Sequence, residues 1–194
     1  MANQPRPFDR ATIEEAFGLL AERAAAAGKV IEISVYGGAA LILTLEARPA
    51  TRDVDAVFER DATFVRAAAR QVAADFGWDE TWLNDGVKGF LSASDAGPEA
   101  KRLFREYPRS GTPSLRVLVA TPEYLFAMKA LAMRIGGTEG SQDVDDIRRL
   151  ARALGIVNAK QAVAVVARYY PSEKIPAKTQ LGLEEIFGPG DTTP

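Results

Sequence analysis

The stretch from Ile31 to Phe58, IEISVYGGAALILTLEARPATRDVDAVF, constrains this chain more than any other. Val30 to Tyr36 is rich in β-branched residues and alternates as a strand does, with Ile31, Ile33 and Val35 on one face. Gly37 and Gly38 break the strand. Ala39 to Glu46 is apolar almost all round, which predicts a short buried helix stopped by Pro49. Asp53 to Phe58 predicts a second strand. Residues i and i+2 of a strand point to one face, so Asp53 and Asp55 stand side by side at a sheet edge. Carboxylate oxygens suit a hard divalent cation, and the backbone N–H groups of a helix start suit phosphate.

What the chain lacks narrows its chemistry further. It has no cysteine and no histidine. Disulfides, thiolate nucleophiles, Cys/His zinc sites and Ser-His-Asp catalysis are therefore excluded. Any metal must be held by oxygen, and any general base must be Asp, Glu, Lys or Tyr. The net charge of −2 announces no nucleic-acid partner. The longest apolar run falls well short of the ~20 residues that span a bilayer, and the N-terminus has no signal pattern. A cytoplasmic protein is the expectation.

The remaining elements follow from caps and periodicity. Residues 1–11 read as a loose arm. Thr12 and Glu15 form a capping box for a helix through Phe17, Leu20 and Ala24 that ends near Gly28. Asp61 caps a helix from Ala62 to Phe76, with Phe64, Val65, Ala68, Val72 and Phe76 toward the core, closed by Gly77. Asp85-Gly86 is a turn, and Val87 to Ser92 is expected as a strand. Ser94 to Pro98 reads as loop, Glu99 to Tyr107 as a short helix, and Leu115 to Ala120 as a strand. Thr121-Pro122-Glu123 is a strong helix start, and that helix should reach about Ile135. Ser141 and Asn158 cap two more helices, to Leu154 and Tyr170, and a last one covers Thr179 to Phe187. The reading is an α/β domain over 12–120 and a helical region over 121–187, with loose tails at 1–11 and 188–194.

The pair Gly37-Gly38 followed by D-V-D at 53–55 resembles the signature of the nucleotidyltransferase superfamily. In finer detail, GGAALILTLEARPATRDVD resembles the abortive-infection type (type IV toxin) nucleotidyltransferases and related nucleotidyltransferase-like proteins. Arg48 or Arg52, with Thr51, fills the middle of that pattern. PEYLFAMKALAMR and QDVDDIRRL resemble the same group's later helices, matching at Lys129, Ala132, Arg134, Asp143 and Asp146. The resemblance covers roughly residues 30–155.

The resemblance implies an α+β fold, a nucleotidyltransferase-like mixed sheet flanked by helices and followed by a C-terminal helical bundle. It implies transfer of a nucleoside monophosphate from an NTP to an RNA (tRNA) or protein hydroxyl, with magnesium or manganese. Asp53 and Asp55 would hold the metal. Gly37, Gly38, Thr51 and Arg52 would bind nucleotide. Asp53, Asp55, Lys129 and Asp143 would act as catalytic residues. The protein would be the toxin of a toxin–antitoxin or phage-defence pair, with an antitoxin partner. The alternative is a catalytically degenerate module of the same fold that binds nucleotide, RNA or a protein. One departure favours that alternative: active relatives carry a third carboxylate on a later strand. Residues 114–120 hold Arg116 and no acid, and Val87 to Ser92 hold none.

Each feature also has a plain reading. Acids at 143 and 146 favour a helix start through its dipole. Lys101, Arg102, Arg105, Arg109 and Arg116 form one basic cluster, diluted by Glu99 and Glu106, which reads as a solvated face before an RNA platform. Trp78 and Trp82 read as core before base-stacking residues.

Overall fold

The computed structural model describes residues 7–46, 48–134 and 137–188. The ends at 1–6 and 189–194, and the helix stop expected near Ile135, lie outside the described residues. The chain divides into two compact units. The first takes the chain up to Gly89 together with Lys101–Ala120, and the second takes Phe90–Ala100 together with everything from Thr121.

The first unit contains α1 (Arg10–Ala26), β1 (Ile31–Val35), α2 (Gly37–Leu45), β2 (Val54–Arg60), α3 (Ala62–Phe76), β3 (Leu83–Asn84), β4 (Lys101–Tyr107) and β5 (Leu115–Ala120). The strands form one mixed sheet in the order β3-β2-β1-β5-β4. β1 runs antiparallel to β2 and parallel to β5, while β3 runs parallel to β2 and β4 antiparallel to β5. Ile31, Ile33 and Val35 are buried, as are Val54, Ala56, Leu115, Val117 and Val119 on the neighbouring strands. The alternate positions carry Asp55 and Glu59 on β2 and Arg116 on β5. Two polar networks lie among these: buried Ser34 donates to Glu59, which also takes Lys101, and Arg116 bridges Glu32 and Glu106.

Several expectations are corrected here. Residues 1–11 are not loose throughout. Phe8 and Thr51 exchange both backbone hydrogen bonds, at 2.7 and 2.9 Å. The buried Phe8 ring meets Trp78 edge-on and stacks on Trp82. Asp9, not Thr12, caps α1, accepting from Thr12 N at 2.8 Å and Thr12 Oγ1 at 2.7 Å. Phe76 is exposed and Phe64 only half-buried, so α3 turns Val65, Ala68 and Val72 to the core without them. Val87 to Ser92 is not a strand: Gly86–Phe90 is a 3-10 turn, tightened by Lys88, whose N and Nζ both reach Asp85. Glu99 to Tyr107 is no helix. From Lys101 on it is β4, because β5 offers it an antiparallel ladder with a bulge between Leu103 and Arg105, and such pairing overrides weak local preference.

The second unit contains α4 (Pro122–Ala132), α5 (Gly137–Leu154), α6 (Ala159–Tyr169) and α7 (Ala177–Phe187). α4 packs against α5, α6 and α7. Thr121 and Asn158 cap α4 and α6 as their sequence signals predict. Ser141 lies inside α5 and not at its start, since that helix already begins at Gly137. Phe90–Ala100 is fastened by tyrosines of this unit. Ser92 N donates to Tyr124 Oη at 2.8 Å, and Tyr170 Oη donates to the Phe90 carbonyl at 2.6 Å. Ser92 Oγ donates to the Tyr169 carbonyl at 2.7 Å. No single helix among the described residues is long and apolar enough to cross a membrane.

Candidate functional site

β1 ends at Val35, and α2 starts two residues on, at Gly37. That tight turn forces Gly37 to φ +58°, a left-handed conformation that glycine adopts without a side-chain clash. A β-carbon there would also stand 2.6 Å from Asp55 Oδ2. Position 37 thus requires glycine twice, once for the turn and once for the carboxylate lying against it. Gly38 is bounded in the same way. A β-carbon there would stand 2.7 Å from Thr51 Oγ1 and 2.8 Å from Arg48 Nη1. Thr51 is held by its bridge to Phe8, and Arg48 is steadied by Nε donating to the Ala50 carbonyl at 2.9 Å.

Gly37, Gly38, Arg48, Thr51 and Asp55 therefore gather at the start of α2. That helix has no side-chain cap from its own N-cap residue, Tyr36. Helix N-termini carry a partial positive charge, so this point favours an anion. Asp55 is half-buried, and Asp53, just before β2, is exposed. Arg52 is exposed, and Arg48 rather than Arg52 is the arginine at Gly38.

The residue in register with Asp55 on the parallel strand β3 is Asn84. Asp85, one place on, accepts from Lys88 at 2.7 Å and Arg66 at 2.6 Å. Those cations, Lys88 first, hold its carboxyl below the usual carboxylate range. Among the described residues, no group of three or more acids gathers that could hold a metal ion. Asp55 on β2 and Asp53 just before it carry hard oxygen donors. That donor set fits one hard divalent cation with water completing the shell. It does not fit a cage of three carboxylates.

Lys129 and Asp143 belong to the second unit, on α4 and α5. Lys129 Nζ lies 3.3 Å from Asp143 Oδ1 and 2.9 Å from Asp146 Oδ2. Both acids are buried, at 7% and 3% exposure. Arg134 adds its backbone N and Nε to Asp143 Oδ2, at 3.4 and 3.3 Å. The ammonium group is therefore neutralised by two carboxylates of its own unit. A cavity of about 350 Å³ in this unit is lined by Met133, Arg134, Val144, Arg148, Gly182 and Ile186 among others, and neither Lys129 nor Asp143 lines it.

No family model matches this sequence, and no curated protein matches it. Among solved structures, the chain is similar to an antigenic nucleotidyltransferase-like protein from Paracoccidioides brasiliensis. The TM-score is 0.48 at 15% identity, over 94% of this chain and 99% of that one. At that overlap the likeness carries no inference about what this chain does.

Sequence reasoning passed over three residues of these clusters or weighted them low. Arg48 is separated from Asp53 by a proline turn, so its distance along the chain hides its approach to Gly38. Asp146 reads as a routine helix acid, although its contact with Lys129 is the shorter of the two. A Lys-to-Asp match at helical spacing on consecutive helices was the available signal. Asn84 sits on a two-residue strand, which has no period to detect.

Proposed function

We propose that this chain is a nucleotidyltransferase whose nucleotide phosphates bind at the start of α2. The observation carrying this reading is Gly37, whose left-handed φ and absent β-carbon keep the Asp55 carboxylate against the helix start. A glycine-lined helix start beside a strand carboxylate, with a second carboxylate just before the strand, suits a triphosphate with its cation. Backbone N–H groups of Gly38 and Ala39, the Arg48 guanidinium and the Thr51 hydroxyl are the groups for phosphate oxygens. Asp53 and Asp55 would hold magnesium or manganese, which supplies charge neutralisation on the phosphates.

In the reaction, an acceptor hydroxyl forms a bond to the α-phosphorus and the bond to pyrophosphate breaks. The hydroxyl proton leaves to a carboxylate or to water. An RNA or protein acceptor, and pairing with an antitoxin in the cytoplasm, are further parts of the proposal that rest on sequence resemblance alone. Lys129 and Asp143 keep a positioning role within their own unit, since each is engaged by the other.

Incubation of the full chain with each labelled NTP, magnesium and total RNA or protein tests the reading. Label transfer by wild type that Asp55→Asn abolishes is the expected result. Equal transfer by both would refute it. The second reading, a binding module without turnover, is favoured by the absence of a three-acid group among the described residues. Calorimetry showing NTP binding with no product after long incubation selects it.

A further inference from the structure

We propose that Phe8 is a positioning residue for phosphate binding, acting through Thr51. Docking of the Phe8 ring and backbone sets the Thr51 hydroxyl against the start of α2. The inference rests on the nucleotidyltransferase reading and adds to it a residue from outside the strand–glycine–helix–strand stretch.

Thr51 carries a polar group that the fold does not use. The residue is buried, at 6% exposure, and its hydroxyl has no hydrogen-bond partner among the described residues. That hydroxyl faces the helix start, since a β-carbon on Gly38 would stand 2.7 Å from Thr51 Oγ1. A buried hydroxyl without a partner has given up its bonds to water, and a phosphate oxygen would restore one.

What holds Thr51 there comes from far along the chain. Thr51 lies between α2 and β2, outside every strand ladder. Both of its backbone polar groups pair with Phe8: Phe8 N donates to the Thr51 carbonyl at 2.7 Å, and Thr51 N donates to the Phe8 carbonyl at 2.9 Å. Phe8 is fixed in turn by its ring on Trp78 and Trp82, and by Asp9, the next residue, which caps α1. Trp82 is anchored as well. Its Nε1 donates to the Ala69 carbonyl of α3 at 2.9 Å, and its carbonyl accepts from Val54 N at 2.6 Å, where β2 begins. One aromatic cluster therefore sets both the turn that carries Thr51 and the start of the strand that carries Asp55. Two backbone hydrogen bonds open to water are a weak tie, so burial of the Phe8 ring is what keeps the bridge closed.

Calorimetric titration of the full chain with tripolyphosphate is the first test. Thr51→Val keeps the backbone bridge and should bind about tenfold more weakly, as expected for one lost hydrogen bond to a charged group. Phe8→Ala should show a similar loss. The double variant should bind no more weakly than Thr51→Val alone, because Phe8 has nothing left to position. Phe8→Leu refills most of the ring's space and should recover most of the affinity. Leu20→Ala, a comparable large-to-small change at a fully buried position of α1, should bind as wild type does, which separates positioning from a general loss of stability.

Amide hydrogen exchange of the wild type needs no variant to fold. A released Phe8 segment that binds tripolyphosphate about tenfold more weakly requires, by linkage, that saturating tripolyphosphate slow exchange of the Phe8 N–H about tenfold. Phe8→Ala weakened no more than Leu20→Ala, losses that multiply in the double variant, or an unchanged Phe8 amide with tripolyphosphate bound would each overturn the positioning role and leave the phosphate site standing. Absence of tripolyphosphate binding by wild type overturns this inference together with the reading it rests on.

Discussion

Lys129→Met separates a structural role for the charge cluster on α4 and α5 from a catalytic one. The substitution keeps most of the aliphatic stem and removes the ammonium. Asp146, at 3% exposure, then loses its 2.9 Å contact, and Asp143 keeps its contact with Arg134. Breaking a buried pair by deleting one member costs ~3–5 kcal/mol, because the remaining charge stays desolvated. The Lys129 side chain retains 18% exposure, so the lower end, about 3 kcal/mol, is expected. Asp146→Asn should be partly redundant with it, giving a coupling of ~1–3 kcal/mol in a double-mutant cycle. Urea unfolding followed by far-UV circular dichroism reports these losses. Trp78 and Trp82 both lie in the first unit, so tryptophan fluorescence reports on that unit alone. A loss confined to the second unit separates the two curves. Lys129→Met within about 0.5 kcal/mol of wild type, the usual range for a neutral surface change, would refute the argument. Reduced NTP binding with intact stability would restore Lys129 to the chemistry.

Four further outcomes follow from the packing. Tyr124→Phe keeps the ring against Tyr169 but leaves the buried Ser92 N–H without its acceptor, so urea unfolding should show a loss of ~1–3 kcal/mol. Burial holds the Tyr124 phenol up at about 12, against an ordinary 10.0. The native chain therefore keeps a proton that the unfolded chain releases in this window. Stability from Tyr124 is complete below pH 10 and is lost as pH rises through 12, and Tyr124→Phe should flatten that fall in alkaline denaturation. Phe8→Ala should cost ~3–5 kcal/mol and red-shift the tryptophan emission, as Trp78 and Trp82 lose their buried neighbour. Gly37→Ala carries ~1–2 kcal/mol of left-handed strain and must displace the Asp55 carboxylate. It should therefore weaken Mn2+ binding, which a Gly28→Ala control at φ +63° in open space should not.

What was legible in the sequence was whatever neighbouring residues decide. α3 is marked at both ends, by Asp61 and by left-handed Gly77, and its bounds follow from those two residues. The Thr-Pro-Glu start of α4 and the alternation of β5 are equally local. The strand–glycine–helix–strand stretch belongs with them, since Gly37 and Asp55 meet across a connection short enough for strand alternation to fix. Three of the misses depend on partners outside the local stretch. β4 looks helical until β5 pairs with it, and Phe8 looks idle until Thr51 and two tryptophans surround it. Asn84 is the sharpest case. Nothing within ten residues of it says that it stands beside Asp55; the register of β2 with β3 says so. The carboxylates and glycines at this helix start come from one local unit, while the group beside them comes from a long-range pairing. The strand on the outer side of β2 is two residues long and carries an amide in register with Asp55, so no period in the sequence announces it.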